Sequence, residues 1–202
     1  VLMGDARLDV SVQGDYLYGA PAAGNRLLAS LYTERQINPL AAKYPGFIFG
    51  DFADDKAKKR MDLPKAELDE KGHADVSLTP TLAERNSPML LRGSFSLLES
   101  GGRPVVRSIE RSWWPAPALL AVRPLFDRNV AQEGALAEFE LIRVDSAGRF
   151  QAGRDLTVKL IYEERQWYWR YDDGRGWNSG FTTSDETVES RTVARLKDRI
   201  KI

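Results

Sequence analysis

Short runs in which apolar and polar residues strictly alternate constrain this chain more than any other feature. They occur at Leu8/Val10/Val12, Leu27/Ala29/Leu31, Ala74/Val76/Leu78, Leu91/Gly93/Phe95/Leu97 and Val105/Arg107/Ile109. Successive side chains of a strand point to opposite faces, so each run predicts a strand with one buried and one solvated side. Repeated along the chain between turn signals, they predict an antiparallel β-sandwich. Glu99-Ser-Gly-Gly-Arg-Pro104 reads as a hairpin connector in which Gly101 and Gly102 are free to turn, and Leu68-Asp-Glu-Lys-Gly-His73 as a polar turn before a strand beginning near Ala74. The stretch Gly14 to Gly24 reads as a strand, a turn and a returning strand, with Gly19 and Gly24 permissive and with Tyr16 and Tyr18 on one strand face.

Thr33 to Asp69 breaks the pattern. Pro39, Pro45, Gly46, Gly50 and Pro64 interrupt any long element, while Phe47, Ile48, Phe49 and Phe52 offer apolar anchors, so residues 33–69 are expected to form a long ordered insertion pinned against the sandwich. Asp55 to Arg60 is a charge run, read as a solvated loop or short helical turn. Ser112-Trp-Trp-Pro-Ala-Pro117 is the boundary signal, because two prolines so close together stop a strand and stiffen a linker. The division expected is 1–116 and 117–202, with a hinge near Pro115 to Pro117. Period two continues beyond it through Leu120/Val122, Leu136 to Val144 and Leu156/Val158/Leu160/Tyr162, with turns at Glu133-Gly134 and Asp145-Ser-Ala-Gly148 and a last strand at Thr192 to Ile202.

At 202 residues the chain can form two sandwiches of roughly 100 residues each. Basic and acidic residues balance at 29 each, which argues against a nucleic-acid partner. No cysteine is present, so disulfides, thiolate metal sites and thiol nucleophiles are excluded from these residues. No apolar run approaches the ~18 residues of a transmembrane helix.

Chemistry-bearing groups are sparse. His73 is the single histidine, which excludes a Ser-His-Asp triad built around any other imidazole, and its place in a turn marks it as solvated. Asp51, Asp54 and Asp55 cluster, but without the alternating ligands, central glycine and closing glutamate of a calcium loop. Asp172-Asp-Gly174 is hairpin-turn chemistry. The sharpest feature is Glu163 to Trp177: Trp167, Trp169 and Tyr171 share one strand face, Tyr168 and Arg170 the other, and Trp177 returns after the glycine turn. Such rings could stack on sugars or on unpaired bases, or stabilise a hairpin and pack on a neighbouring domain, with Arg165, Arg170 and Arg175 placed for cation–π contact. Trp113 and Trp114 point to opposite faces beside the linker, so that one fills a sandwich and the other meets the next domain; an exposed Trp114 would mark a partner surface.

Tyr16-Leu-Tyr-Gly-Ala-Pro-Ala-Ala-Gly24, the aromatic segment Tyr44 to Asp51, the Leu68-Asp-Glu-Lys-Gly72 turn, Leu97-Leu-Glu-Ser-Gly-Gly-Arg-Pro-Val105 and the Trp-rich hairpin together resemble the bacterial alpha-2-macroglobulins. The resemblance implies an all-β chain of two tandem antiparallel β-sandwiches of macroglobulin type, similar to fibronectin III domains and lying upstream of the bait region. It implies a scaffold role in a periplasmic inhibitor that traps proteases after bait cleavage, with no catalysis, cofactor or metal in this segment. Implied partners are target proteases met through the full-length protein, neighbouring macroglobulin domains and other cell-envelope proteins, with membrane attachment only through a lipid anchor elsewhere. Only about seven residues precede Leu8, and the family's further Trp-Gly strand is missing, so the first domain is expected to lack its first strand and the second to be cut short. No Cys-x-x-Gln thioester motif occurs in these residues. The candidate interaction surface is Trp114, Trp167, Trp169 and Trp177, and the alternatives are a glycan-binding sandwich that uses these rings or an interaction scaffold in an envelope complex.

Overall fold

The computed structural model describes residues 1–4, 7–57, 59–82, 84–99, 102–127, 130–132, 134–174 and 176–202, without the side chains of 56 and 57. Lys58 of the charge run, Ser100 and Gly101 of the connector, Glu133 of the predicted turn and Arg175 of the aromatic hairpin therefore lie outside the described residues. By contact the chain divides into residues 1–151 with 199–202, and residues 152–198.

In the first unit the predicted strands form. They are β2 (Leu8–Gln13), β3 (Arg26–Arg35), β7 (His73–Leu78), β8 (Met89–Leu98) and β9 (Val105–Trp114). β8 lies antiparallel between β3 and β9, while β2 pairs with β7 in a separate sheet that has two strands among the described residues. Alternation does the sorting. Leu27, Ala29 and Leu31 of β3, Met89, Leu91 and Phe95 of β8 and Ala74, Val76 and Leu78 of β7 meet in one core closed by Trp113, and burying each large side chain contributes about 1.5–3 kcal/mol.

Two expectations change here. β2 and β3 are not hairpin partners, because the intervening chain crosses from one sheet to the other so that both can present apolar faces to the same core. Tyr16 and Tyr18 accordingly sit on the crossover turn and not on a strand; their rings stack at 5.3 Å and Asn25 donates to the Tyr16 hydroxyl at 2.9 Å. A strand also precedes Leu8: β1 (Leu2–Met3) runs parallel to the end of β9, pairing Leu2 with Trp113.

The insertion is ordered, but its role differs from the one expected. β5 (Lys59–Asp62) and β6 (Ala66–Glu67) return to β3, whereas β4 (Ile48–Phe49) leaves the first sandwich and pairs with β10 (Ala118–Pro124), setting Phe49 opposite Ala121. β10 pairs in turn with β11 (Phe139–Asp145), and β11 with β14 (Arg199–Lys201), giving the sheet order β14-β11-β10-β4. Tyr44, Phe47, Phe49 and Trp114 join Ala121, Ile142 and Val144 in a second core. Residues on both sides of Pro117 thus build one core, so the linker is not the free hinge that its prolines suggested.

Arg35, at the end of β3, fixes the path of the insertion. Its guanidinium donates to the Phe49 carbonyl and to the Asp55 carboxylate, each at 2.8 Å, and lies 4.9 Å from the centre of the Phe52 ring, with only 2% of the side chain exposed. Phe52 to Ala57 forms a short 3₁₀ turn. Gly50, at φ +72°, lets the chain pass so close to Ser87 that a Cβ would stand 2.4 Å from the Ser87 Cα, and the Ser87 hydroxyl accepts from the Asp51 N–H at 2.8 Å.

The second unit is a two-stranded antiparallel ribbon of β12 (Gly153–Asp172) and β13 (Gly176–Leu196). The run read as ending at Tyr162 continues to the turn, and the predicted last strand is split: β13 stops at Leu196, the chain bends at Lys197 and Asp198, and Arg199 begins β14 against β11.

Candidate functional site

Directly opposed residues of an antiparallel pair project to the same face. In the outer half of the ribbon the register opposes Trp167 to Phe181, Trp169 to Ser179 and Tyr171 to Trp177, which gathers five aromatic rings on one face. The Trp167 and Phe181 rings meet edge to face at 5.6 Å, as do Tyr171 and Trp177 at 5.4 Å, and the Arg165 guanidinium lies 5.4 Å from the Phe181 centroid. These contacts cover the rings only in part: Trp167 is 72% exposed, Trp169 73% and Trp177 69%. On the opposite face Tyr168 lies across Gly180, where a Cβ would come within 2.8 Å of its hydroxyl. The ion pairs here, Arg165 with Glu163 at 2.6 Å and Arg170 with Asp172 at 3.4 Å, join exposed neighbours and contribute at most about 1 kcal/mol each.

The apolar stripe changes sides along the ribbon. Near its base the apolar residues of β12 are Leu156, Val158, Leu160 and Tyr162, at even positions; near the tip they are Trp167, Trp169 and Tyr171, at odd ones. A β-bulge interrupts the base stripe before Tyr162, where Leu160 opposes Glu189 but Ile161 opposes Thr187, leaving Val188 without an opposite residue.

Of the four predicted surface residues, the structure brings Trp167, Trp169 and Trp177 together and removes Trp114. Trp114 is 1% exposed and packs against the Phe49 ring at 6.0 Å, so it offers no surface; the insertion that sequence reading assigned to the first sandwich covers it. Its neighbour Trp113 turns into the first core and donates from Nε1 to the Gly4 carbonyl at 2.8 Å. Phe181 is the ring that sequence reading missed, and counting back across the Gly174 turn from Trp167 would have found it.

The other chemistry-bearing groups are engaged structurally. His73 opens β7, with Nε2 3.4 Å from the Asp75 carboxylate. Asp51 accepts from the Ala53 N–H, Asp54 from the Asn86 N–H and Asp55 from Arg35. No group of three or more His, Cys, Asp or Glu able to hold a metal ion occurs among the described residues. A cleft of about 340 Å³ beside Met3, Ala118, Arg143 and Arg149 contains Asp145, whose carboxyl is held below the ordinary carboxylate range chiefly by the Arg149 N–H and then by the Arg149 side chain and the Ala147 N–H. That carboxylate organises its own turn.

Comparison with known proteins places the whole chain. Residues 1–115 match the model of the bacterial alpha-2-macroglobulin MG5 domain, and residues 121–201 that of bacterial macroglobulin domain 6. An alpha-2-macroglobulin of Xylella fastidiosa is 42% identical over 196 residues, which is 96% of this chain and 12% of that protein. The native conformation of Escherichia coli alpha-2-macroglobulin superposes with a TM-score of 0.84 at 37% identity, covering 100% of this chain and 14% of the other. The same protein activated by porcine elastase gives 0.82 at 37% identity, covering 99% of this chain and 18% of the other.

Proposed function

We propose a scaffold role for this chain, which belongs to the bacterial alpha-2-macroglobulin family. Two consecutive macroglobulin domains, divided near the linker at 116 and 117, form a structural segment of a larger protein that traps proteases after they cleave its bait. The observation that carries this reading is the extent of the match: nearly all of the chain aligns with the Xylella protein at 42% identity, yet spans only 12% of its length. A relative that elastase activates supports proteases as the targets of the full-length protein.

In this reading the segment performs no chemistry. His73 pairs with Asp75, and Asp51 and Asp54 accept from backbone N–H groups of turns. The parent resides in the periplasm, held to the inner membrane by a lipid anchor outside these residues, and its neighbours are other macroglobulin domains and other envelope proteins. A test compares the 202-residue chain with the full-length parent for inhibition of trypsin and elastase on a large protein substrate. The parent is expected to inhibit and the chain to leave both enzymes fully active at any molar ratio. Stoichiometric inhibition by the chain alone would show that trapping resides in these residues.

The exposed rings of Trp167, Trp169 and Trp177 favour one second reading, a platform that stacks on cell-wall glycans. Titration of the chain with soluble peptidoglycan fragments, followed by tryptophan fluorescence, is expected to give no saturable quenching if the scaffold reading holds.

A further inference from the structure

A two-stranded ribbon has no second sheet to cover either face and is marginally stable alone, yet this one presents five aromatic rings to solvent on a single face at its tip. Rings of this kind bury about 150–250 Å² each when covered, so at the observed exposures they form an open patch on the order of 600 Å². That equals the upper end of what monomeric proteins leave bare. We infer that the face formed by Trp167, Trp169, Tyr171, Trp177 and Phe181 is a docking surface for another domain of the same polypeptide, one lying outside residues 1–202. The inference rests on the scaffold reading, since it needs the longer parent.

Size selects that occupant over a free partner. Two surfaces of this area meeting face to face bury about 1,200 Å² in total, the lower limit for complexes that form between separate molecules and well within the range of domain contacts inside one chain. A tethered domain needs no more, because a linker holds it at an effective concentration in the millimolar range. The parent has ample chain to supply it: the relatives matched are about eight times as long as this segment, which is 12% of one of them. The polar groups on the face also fit a protein surface better than a sugar. Arg165 and Glu163 pair with each other at 2.6 Å, and the Arg165 guanidinium already rests on Phe181, which among the described residues of β12 and β13 leaves Ser179 and Thr183 as the polar residues opposite or beside the rings on this face; a sugar site needs several convergent donors and acceptors. The tip rings and the Leu156–Tyr162 stripe lie on opposite faces of the β12–β13 ladder, so the body that covers the tip does so through a face that the base stripe does not share.

The test places a photo-cross-linker on the face within the full-length parent. Trp169→p-benzoylphenylalanine keeps an aromatic ring at a position whose present contacts are few, and Trp167→p-benzoylphenylalanine is the second variant should the first fold poorly. After irradiation, the expected product migrates as a single polypeptide, and mass spectrometry joins position 169 or 167 to a peptide outside residues 1–202. Cross-linking to a second copy, to another protein or to peptidoglycan fragments, or the absence of any cross-link in folded variants, would overturn the inference. Protease inhibition measured on the same samples separates the two readings: inhibition without the intramolecular cross-link leaves the trap intact and removes the docking surface.

Discussion

At the scale of single residues, adjacent tryptophans show what alternation does and does not reveal. The opposite orientations of Trp113 and Trp114 were legible, because neighbouring side chains of a strand must diverge. What covers each was not, since the residues that bury Trp114 come from an insertion some 65 positions earlier in the chain, through Phe49. The same limit applied to the hairpin. The shared face of Trp167, Trp169 and Tyr171 could be read directly, but their exposure could not, because alternation assigns a face without saying whether anything packs on it. Stability should therefore separate these tryptophans. Trp114→Ala leaves a large cavity in a closed core and is expected to cost about 3–5 kcal/mol, whereas Trp169→Ala in this chain is expected to fall within about 0.5 kcal/mol of the parent sequence. Urea denaturation of both variants checks this; equal losses would mean that the ribbon is buried.

Among the elements, the strands of the first sandwich were the most legible and the insertion the least. Leu27 to Leu31 and Leu91 to Leu97 repeat long enough to fix both strand and face, and the polar turns between strands carry their own chemistry. Ile48–Phe49 is only two residues long, too short for any period, and its partner β10 lies 70 residues away, so nothing local could assign it to the second sheet. The turns themselves hold a pH dependence. Asp69 accepts from the His73 and Lys71 N–H groups and Asp145 from those of Arg149 and Ala147; the His73 N–H and the Arg149 N–H respectively are the largest influences holding these carboxyls below their ordinary values. A carboxyl whose pKa is lower folded than unfolded stabilises the fold above its unfolded pKa of about 3.9, and that stability is lost as pH falls through the folded value. Melting temperature should accordingly decline below about pH 4. Asp145→Asn keeps an acceptor for the turn but not the charge, and is expected to flatten that decline; an unchanged acid profile would contradict the assignment.

For the whole molecule, the insertion joins two sheets into one compact body through Arg35, Ser87 and the core around Phe49 and Trp114, while the ribbon of β12 and β13 is built on a single ladder. That contrast is the structural basis of the scaffold reading: a stiff body, and a strip of aromatic surface offered to the rest of a longer protein. The all-β class and the aromatic face were legible in the sequence, but the hinge expected at the proline linker was not found, because two close prolines indicate a stop without indicating that β4 will pair with β10 beyond it. Hydrogen exchange followed by mass spectrometry, on both the 202-residue chain and the full-length parent, distinguishes a bare ribbon tip from a covered one. Slow and equal exchange is expected for β3, β8 and β10 in both proteins, while the ribbon tip around Trp167 to Asp172 and Trp177 to Phe181 is expected to exchange quickly in the chain and to become protected in the parent. Tip amides that are equally protected, or equally exposed, in the two proteins would contradict this expectation.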